Sequence, residues 1–200
     1  MASIVVTGDT SGSITLSAPA VAGSNTLTLP ANTGTIITTA SGSQSIPKAA
    51  LPTGSVLQVV NTQSSTYTST VTAIPSDNTI PQNSEGAELF TASITPTSSA
   101  SKLFIQVVVE LANSGAAWLA IALFQDSTAN ALAANTIYQG TATGGSILTI
   151  NYFMTAGTTS STTFKVRYGA NSGTTYANGS SAQVFNGTLF SSLNITEIAA

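Results

Sequence analysis

Lys102-Leu-Phe-Ile-Gln-Val-Val-Val-Glu-Leu111 and, after Ala112–Ala117, Trp118-Leu-Ala-Ile-Ala-Leu-Phe124 are the two runs on which the fold turns. In the first, Leu103, Ile105, Val107, Val109 and Leu111 recur with period two. That spacing predicts a strand with one face in a core, leaving Phe104, Gln106, Val108 and Glu110 on a half-polar outer face. The second run is apolar on both faces: Trp118, Ala120, Ala122 and Phe124 on one, Leu119, Ile121 and Leu123 on the other. An antiparallel strand with one wet face should alternate cleanly, so this one requires two dry neighbours. A long loop of the same chain meets the requirement. So does a sister subunit across a symmetry axis, the arrangement expected here because charges are scarce and the N-terminal region looks dependent on a partner.

Working outward, strands are expected at 55–61, 67–72, 88–94, 102–111, 117–125, 147–154, 162–168 and 189–198, with turn-rich segments between them. Eight such strands suit an all-β fold, an antiparallel β-sandwich of jelly-roll type. Asn178-Gly179 and Asn186-Gly187 read as turns, because both residue types take positive φ at little cost. Residues 1–39 contain the short alternating units Gly12–Pro19, Asn25–Pro30 and Thr35–Thr38, each ended by Pro or Gly. They predict a short-stranded β arm with little core of its own, presenting Ile14, Leu16, Leu27, Leu29 and Ile36 for attachment. Residues 40–54, rich in Ser, Gly and Pro, read as a linker, and 55–200 as the sandwich head.

Composition removes most chemistry. Cysteine and histidine are absent, which excludes disulfides, thiolate metal sites and imidazole catalysis. Four Lys and Arg against seven Asp and Glu, with only 6% of residues charged, argue against a nucleic-acid partner. Ser and Thr supply 61 of the 200 residues, so the surface is built from hydroxyls and amides and has little repulsion to keep copies apart. No apolar run approaches the ~18 residues of a membrane helix, and Met1–Gly12 does not read as a secretion signal, so no membrane partner is expected.

Paired carboxylates for glycan hydrolysis would come from Asp77, Glu85 and Glu88, or from the isolated Asp9, Glu110, Asp126 and Glu197. Turn and strand-edge roles fit these acids better. Asp126 is expected to cap a turn, and Lys165 and Arg167 to be solvated on the wet face of their strand. No calcium loop or phosphate-binding loop is present, so neither cofactor nor metal is expected and the chain reads as non-enzymatic.

The order of several strings resembles a known family. SGSITLSAPAVAGSNTLTLPANTGTI, then KAALPTGSVLQVVN, ASITPTSSASKLFIQVVVELANSG, ALFQDST, TTFKVRYG and LNITEIAA are similar to tailed-bacteriophage capsid decoration (cement) proteins and to the distal β-sandwich module of tail fibres. The resemblance implies a homotrimeric virion protein on the outer capsid surface, its arm docked on the major capsid protein. Phe104, Val108, Leu119, Ile121 and Leu123 would then lie at the trimer interface. The alternative is a short tail fibre that binds a host glycan or receptor through loops carrying Asn171, Tyr176 and Asn178, or through 77–85.

Overall fold

A computed structural model describes residues 3–7, 13–17 and 51–200. The chain divides into two compact units, Met1–Gln44 and Ser45–Ala200, with the boundary inside the 40–54 segment. The first contains the antiparallel pair β1 (Ser3–Thr7) and β2 (Ser13–Ser17), which sets Leu16 opposite Ile4 and Ile14 opposite Val6. A strand at Ile14–Leu16 was expected; its partner Ser3–Thr7 was not. Leu27, Leu29 and Ile36, with the strands expected around them, lie outside the described residues.

The second unit is all-β, two antiparallel sheets sharing one core. Its strands are β3 (Val56–Ser64), β4 (Thr68–Thr70), β5 (Ala87–Ile94), β6 (Lys102–Asn113), β7 (Ala117–Gln125), β8 (Ala133–Gln139), β9 (Ser146–Thr155), β10 (Thr162–Ala170), β11 (Thr175–Ala177) and β12 (Ser191–Ile198). The smaller sheet runs β5-β10-β7-β8. In the larger one β3 pairs with β12, β12 with β6 and β6 with β9, while the short β4–β11 pair extends the β12 edge of β6. Thus the earliest strand of the sandwich pairs with the latest and β5 with the late β10, an order that no local pattern could reveal.

All eight expected strands are present, and β7 has the expected bounds. The alternation in β6 fixes its orientation: Leu103, Ile105, Val107, Val109 and Leu111 are buried, facing Leu119, Ile121 and Leu123 of β7 and Phe164 and Val166 of β10 in the shared core. Each such side chain contributes about 1.5–3 kcal/mol on leaving water. β8 and β11 were not expected. β8 is an edge strand, mostly exposed, whose sequence Ala-Ala-Asn-Thr-Ile-Tyr-Gln has no alternation to detect, and β11 is only three residues long.

The doubly apolar β7 is explained within the chain. Leu119, Ile121 and Leu123 are each 0% exposed in the chain's own core, so they cannot form the surface offered to a second copy. Assigning them to a trimer interface is therefore corrected. The opposite flank, Ala120, Ala122 and Phe124, is also buried, and a strap formed by residues 71–86 lies over that face of the smaller sheet. The strap's anchor is Ile74, 2% exposed, whose N–H donates to the Ala170 carbonyl at 3.2 Å. Gly169 lets it come this close, since a Cβ there would stand 2.7 Å from the Thr72 carbonyl oxygen and 3.2 Å from Ile74.

Candidate functional site

Arg167 holds the strap. From the outer face of β10 its Nε donates to the Glu85 carbonyl and its Nη2 to the Gly86 carbonyl, both at 2.7 Å. The guanidinium fork suits two adjacent acceptors, so this residue is a latch and not the solvated charge expected from alternation alone. Further along, Asn83 N–H bonds the Ala129 carbonyl and Ala131 N–H the Pro81 carbonyl, pinning the strap to the segment that follows β7. Asp126 accepts from Thr163 N–H at 2.8 Å and from the Thr162 hydroxyl at 2.9 Å, tying the end of β7 to the start of β10.

Among the described residues of this unit, the larger sheet turns an uncovered face outward. Its registers align three rows across β3, β12, β6 and β9: Val59, Thr196, Phe104 and Phe153; Asn61, Asn194, Gln106 and Asn151; Gln63, Ser192, Val108 and Thr149. None of these twelve residues is charged. Phe104 lies against Phe153 with ring centroids 6.1 Å apart, and Val59, Phe153 and Val108 are exposed. The middle row is a ladder of amides in which Asn61 donates to Asn194 and Gln106 to Asn151. Of the five residues expected at an interface, Phe104 and Val108 therefore stand on an open face, separate from the buried trio of β7.

The ends of the sandwich differ in chemistry. Leu51 enters the head beside Thr97, Ser101 and Ala199. The opposite rim gathers the turns after β3, β6, β8, β10 and β11, and three buried amides brace it. Asn113 donates to the Ser172 carbonyl and the Thr175 hydroxyl. Gln139 donates to the carbonyls of Asn113, Gly115 and Thr141 and accepts the Asn113 N–H. Asn178, 0% exposed and at φ 57°, donates to the Ser64 and Thr66 carbonyls and accepts from the Ser191 hydroxyl. Its expected place in a host-contact loop is thus corrected: a fully satisfied buried amide braces the rim and has no atom to offer a ligand. Tyr176 is half-buried and stacked on Tyr67, centroids 6.2 Å apart. Asn171 is exposed, and its Oδ1 accepts the Trp118 N–H at 2.9 Å.

Two exposed aromatics stand at this rim, and sequence reasoning singled out neither as a contact residue. Trp118 and Tyr138 are register partners on β7 and β8, 42% and 54% exposed, with centroids 5.3 Å apart and planes inclined at 52°. One pleat along the same face, a cavity of about 280 Å³ has Ala120, Ala134 and Thr136 on the sheet side and Ile74, Ser76, Asp77 and Thr79 on the strap side. The lone tryptophan at the start of an apolar strand was the available signal.

The carboxylates are dispersed, and no three of the described Asp and Glu residues come together as a metal site. Asp77 closes its own turn by accepting from Thr79. Burial pushes the Glu110 carboxyl up, partly offset by the Gly179 N–H that it accepts at 3.1 Å. Burial also opposes ionisation of Glu197, but hydrogen bonds from Gln58 and Thr97 outweigh it and hold its pKa below the usual carboxylate range.

No family model and no curated protein matches the sequence. Among solved structures, the chain is similar to the C-terminal domain of EclA, a sugar-binding protein (15% identity, 56% of this chain and 74% of that one, TM-score 0.33). It is similar also to the enzymatically active domain of bacteriophage CBA120 tailspike protein 4 (13% identity, 61% and 19%, TM-score 0.27). A third is VP2 of the infectious bursal disease virus subviral particle (15% identity, 72% and 38%, TM-score 0.31). The chain spans well under half of the latter two. The overlaps are too partial to carry any activity across.

Proposed function

We propose that this chain is a bacteriophage virion structural protein, a homotrimeric cement protein on the outer capsid surface that works by docking and not by catalysis. The observation that carries the reading is the outward face of the larger sheet, three uncharged rows that leave Val59, Val108 and Phe153 exposed. In a chain with so few charges, an amide ladder with Val59, Phe104 and Phe153 on one side and Val108 on the other suits contact with a second copy of itself, because amides both donate and accept. On this reading Phe104 and Val108 stay at the subunit contact. The pairing of early with late strands supports reading the sandwich as a jelly roll, an architecture used in viral capsid and lectin domains. That support is analogy, since one fold hosts many functions. The order of strings along the chain and the separate N-terminal unit add to it, the arm being the part that would meet the major capsid protein.

Copy number in purified particles tests the reading: hundreds of chains are expected for a capsid role. Fewer than about twenty would instead place the chain on a tail, because closed symmetry limits the copies at each tail site. Sizing of Phe153→Asp should give monomer where the wild-type chain gives trimer; an unaltered oligomer would remove this face from the interface. A short tail fibre that recognises a host surface is the second reading, favoured by the exposed Trp118–Tyr138 pair on the rim opposite Leu51.

A further inference from the structure

We propose that Trp118, Tyr138 and the adjoining cavity form a binding site for a neutral saccharide, with a pyranose ring against the aromatic faces and its hydroxyls directed into the cavity. The two rings are inclined at 52° and not stacked, so each keeps part of a face open. Residues 119 to 124 of the same strand are buried, whereas Trp118 is 42% exposed. An amphipathic ring held at a wet surface offers a flat apolar platform beside polar groups, the combination that a sugar's C–H face and hydroxyls require.

The backbone beneath the platform is held in place. Trp118 is fixed at both backbone atoms, its N–H to Asn171 Oδ1 at 2.9 Å and its carbonyl to Asn171 N–H at 3.1 Å. The Thr136 hydroxyl bonds the Leu119 carbonyl at 2.7 Å, and Gln139 clamps the turn beyond Tyr138. A site ordered in advance loses less entropy when a small ligand binds.

Chemistry and size select the ligand class. Asp77 uses Oδ1 for its own turn, leaving Oδ2 as an acceptor at the cavity wall, and Ser76 and Thr79 add hydroxyls. Among the described residues no Lys or Arg lines the cavity, and Arg167 is engaged with the strap, so an anionic sugar would meet a carboxylate and no cation from them. About 280 Å³ is close to the lower bound of small-molecule pockets, enough for one sugar residue.

The proposal concerns the isolated chain, so its outcome is separable from the chain's place on a particle. Trp118 is the only tryptophan, and its fluorescence reports on the site alone. The wild-type chain is titrated with D-glucose, D-galactose, D-mannose, L-rhamnose and N-acetyl-D-glucosamine to about 100 mM, above the roughly millimolar Kd that a ligand of this size allows. A saturable emission change with at least one sugar is expected. Tyr138→Ala should weaken it roughly tenfold, and Tyr138→Phe, which keeps the ring, should retain it. Circular dichroism checks that each variant folds; should Tyr138→Ala fail, saturation-transfer NMR from aromatic protons to the sugar of the wild-type complex carries the test. The proposal is overturned by no saturable response to any of the five sugars. A response indifferent to Tyr138→Ala overturns it too, as does tighter binding of N-acetylneuraminic acid. Emission that follows protein concentration but ignores sugar would assign the rings to a protein contact instead.

Discussion

Replacing Arg167 with Met keeps the aliphatic stem over the smaller sheet and removes both donors to the Glu85 and Gly86 carbonyls. A hydrogen bond from a charged group contributes roughly 1.5–3 kcal/mol, and this residue is half-buried, so the lower figure applies to each. The pair then holds the strap by about 3 kcal/mol. Detachment need not unfold the sandwich, so the loss should appear first as local opening. At about 1.4 kcal/mol per decade, amide exchange at Ile74 and Gly86, both hydrogen-bonded in the closed strap, should accelerate roughly a hundredfold. Peptide-level hydrogen exchange reads this directly, and protease nicking within 71–86 should rise with it. Lys at the position should recover only part of the protection, because one ammonium cannot match the guanidinium fork. Unchanged protection across the strap in Arg167→Met would show that Ile74 burial alone holds it and that the latch is idle.

Other perturbations separate the core from the open face. Leu119→Ala should cost about 2–5 kcal/mol in urea unfolding, as for any fully buried leucine, whereas Val108→Ser on the outer face should leave unfolding of the monomer within about 0.5 kcal/mol of wild type and weaken assembly instead. Asn178→Ala should cost about 2–4 kcal/mol, since it orphans two backbone carbonyls and the Ser191 hydroxyl and sets Ala at positive φ; an unchanged midpoint would deny the bracing role. Glu197 has a lowered folded pKa, so its contribution is present above the unfolded value of about 4.3 and lost as pH falls through the folded one. Glu197→Gln should therefore flatten the acid limb of the stability curve, which pH-dependent unfolding would reveal. For Glu110 the folded pKa is raised, the opposite sign: Glu110→Gln should stabilise the protein at neutral pH, and the gain should vanish below about pH 4.

The sandwich was legible wherever one face of a strand is wet and the other dry, as in β6 and β10, because burial then writes itself as alternation. It was illegible in β8, where exposure on both faces leaves no period. The two dry flanks of β7 were also legible, but not what covers the second. The stretch 73–86 reads as polar turns with two Ile-Pro pairs, of which only Ile74-Pro75 is an anchor and Ile80-Pro81 leaves its Ile80 exposed, while the close approach at Gly169 is a property of space and not of spacing. Buried amides were the other blind spot. Asn113, Gln139 and Asn178 belong to residue types that usually face water, and their burial depends on carbonyls as far as 114 positions away becoming neighbours, as in the bond from Asn178 to Ser64.

The position of β12 also bears on biogenesis. It lies between β3 and β6, yet it follows every other strand of the head. During synthesis those two neighbours remain unpaired along the edges that β12 will fill, until residue 198 has cleared the ribosome. The larger sheet thus cannot close until β12 has been made, through contacts far apart in sequence that are slow to form. In that interval the waiting edges are exposed to other nascent chains, which favours expression at low temperature or with a holdase chaperone.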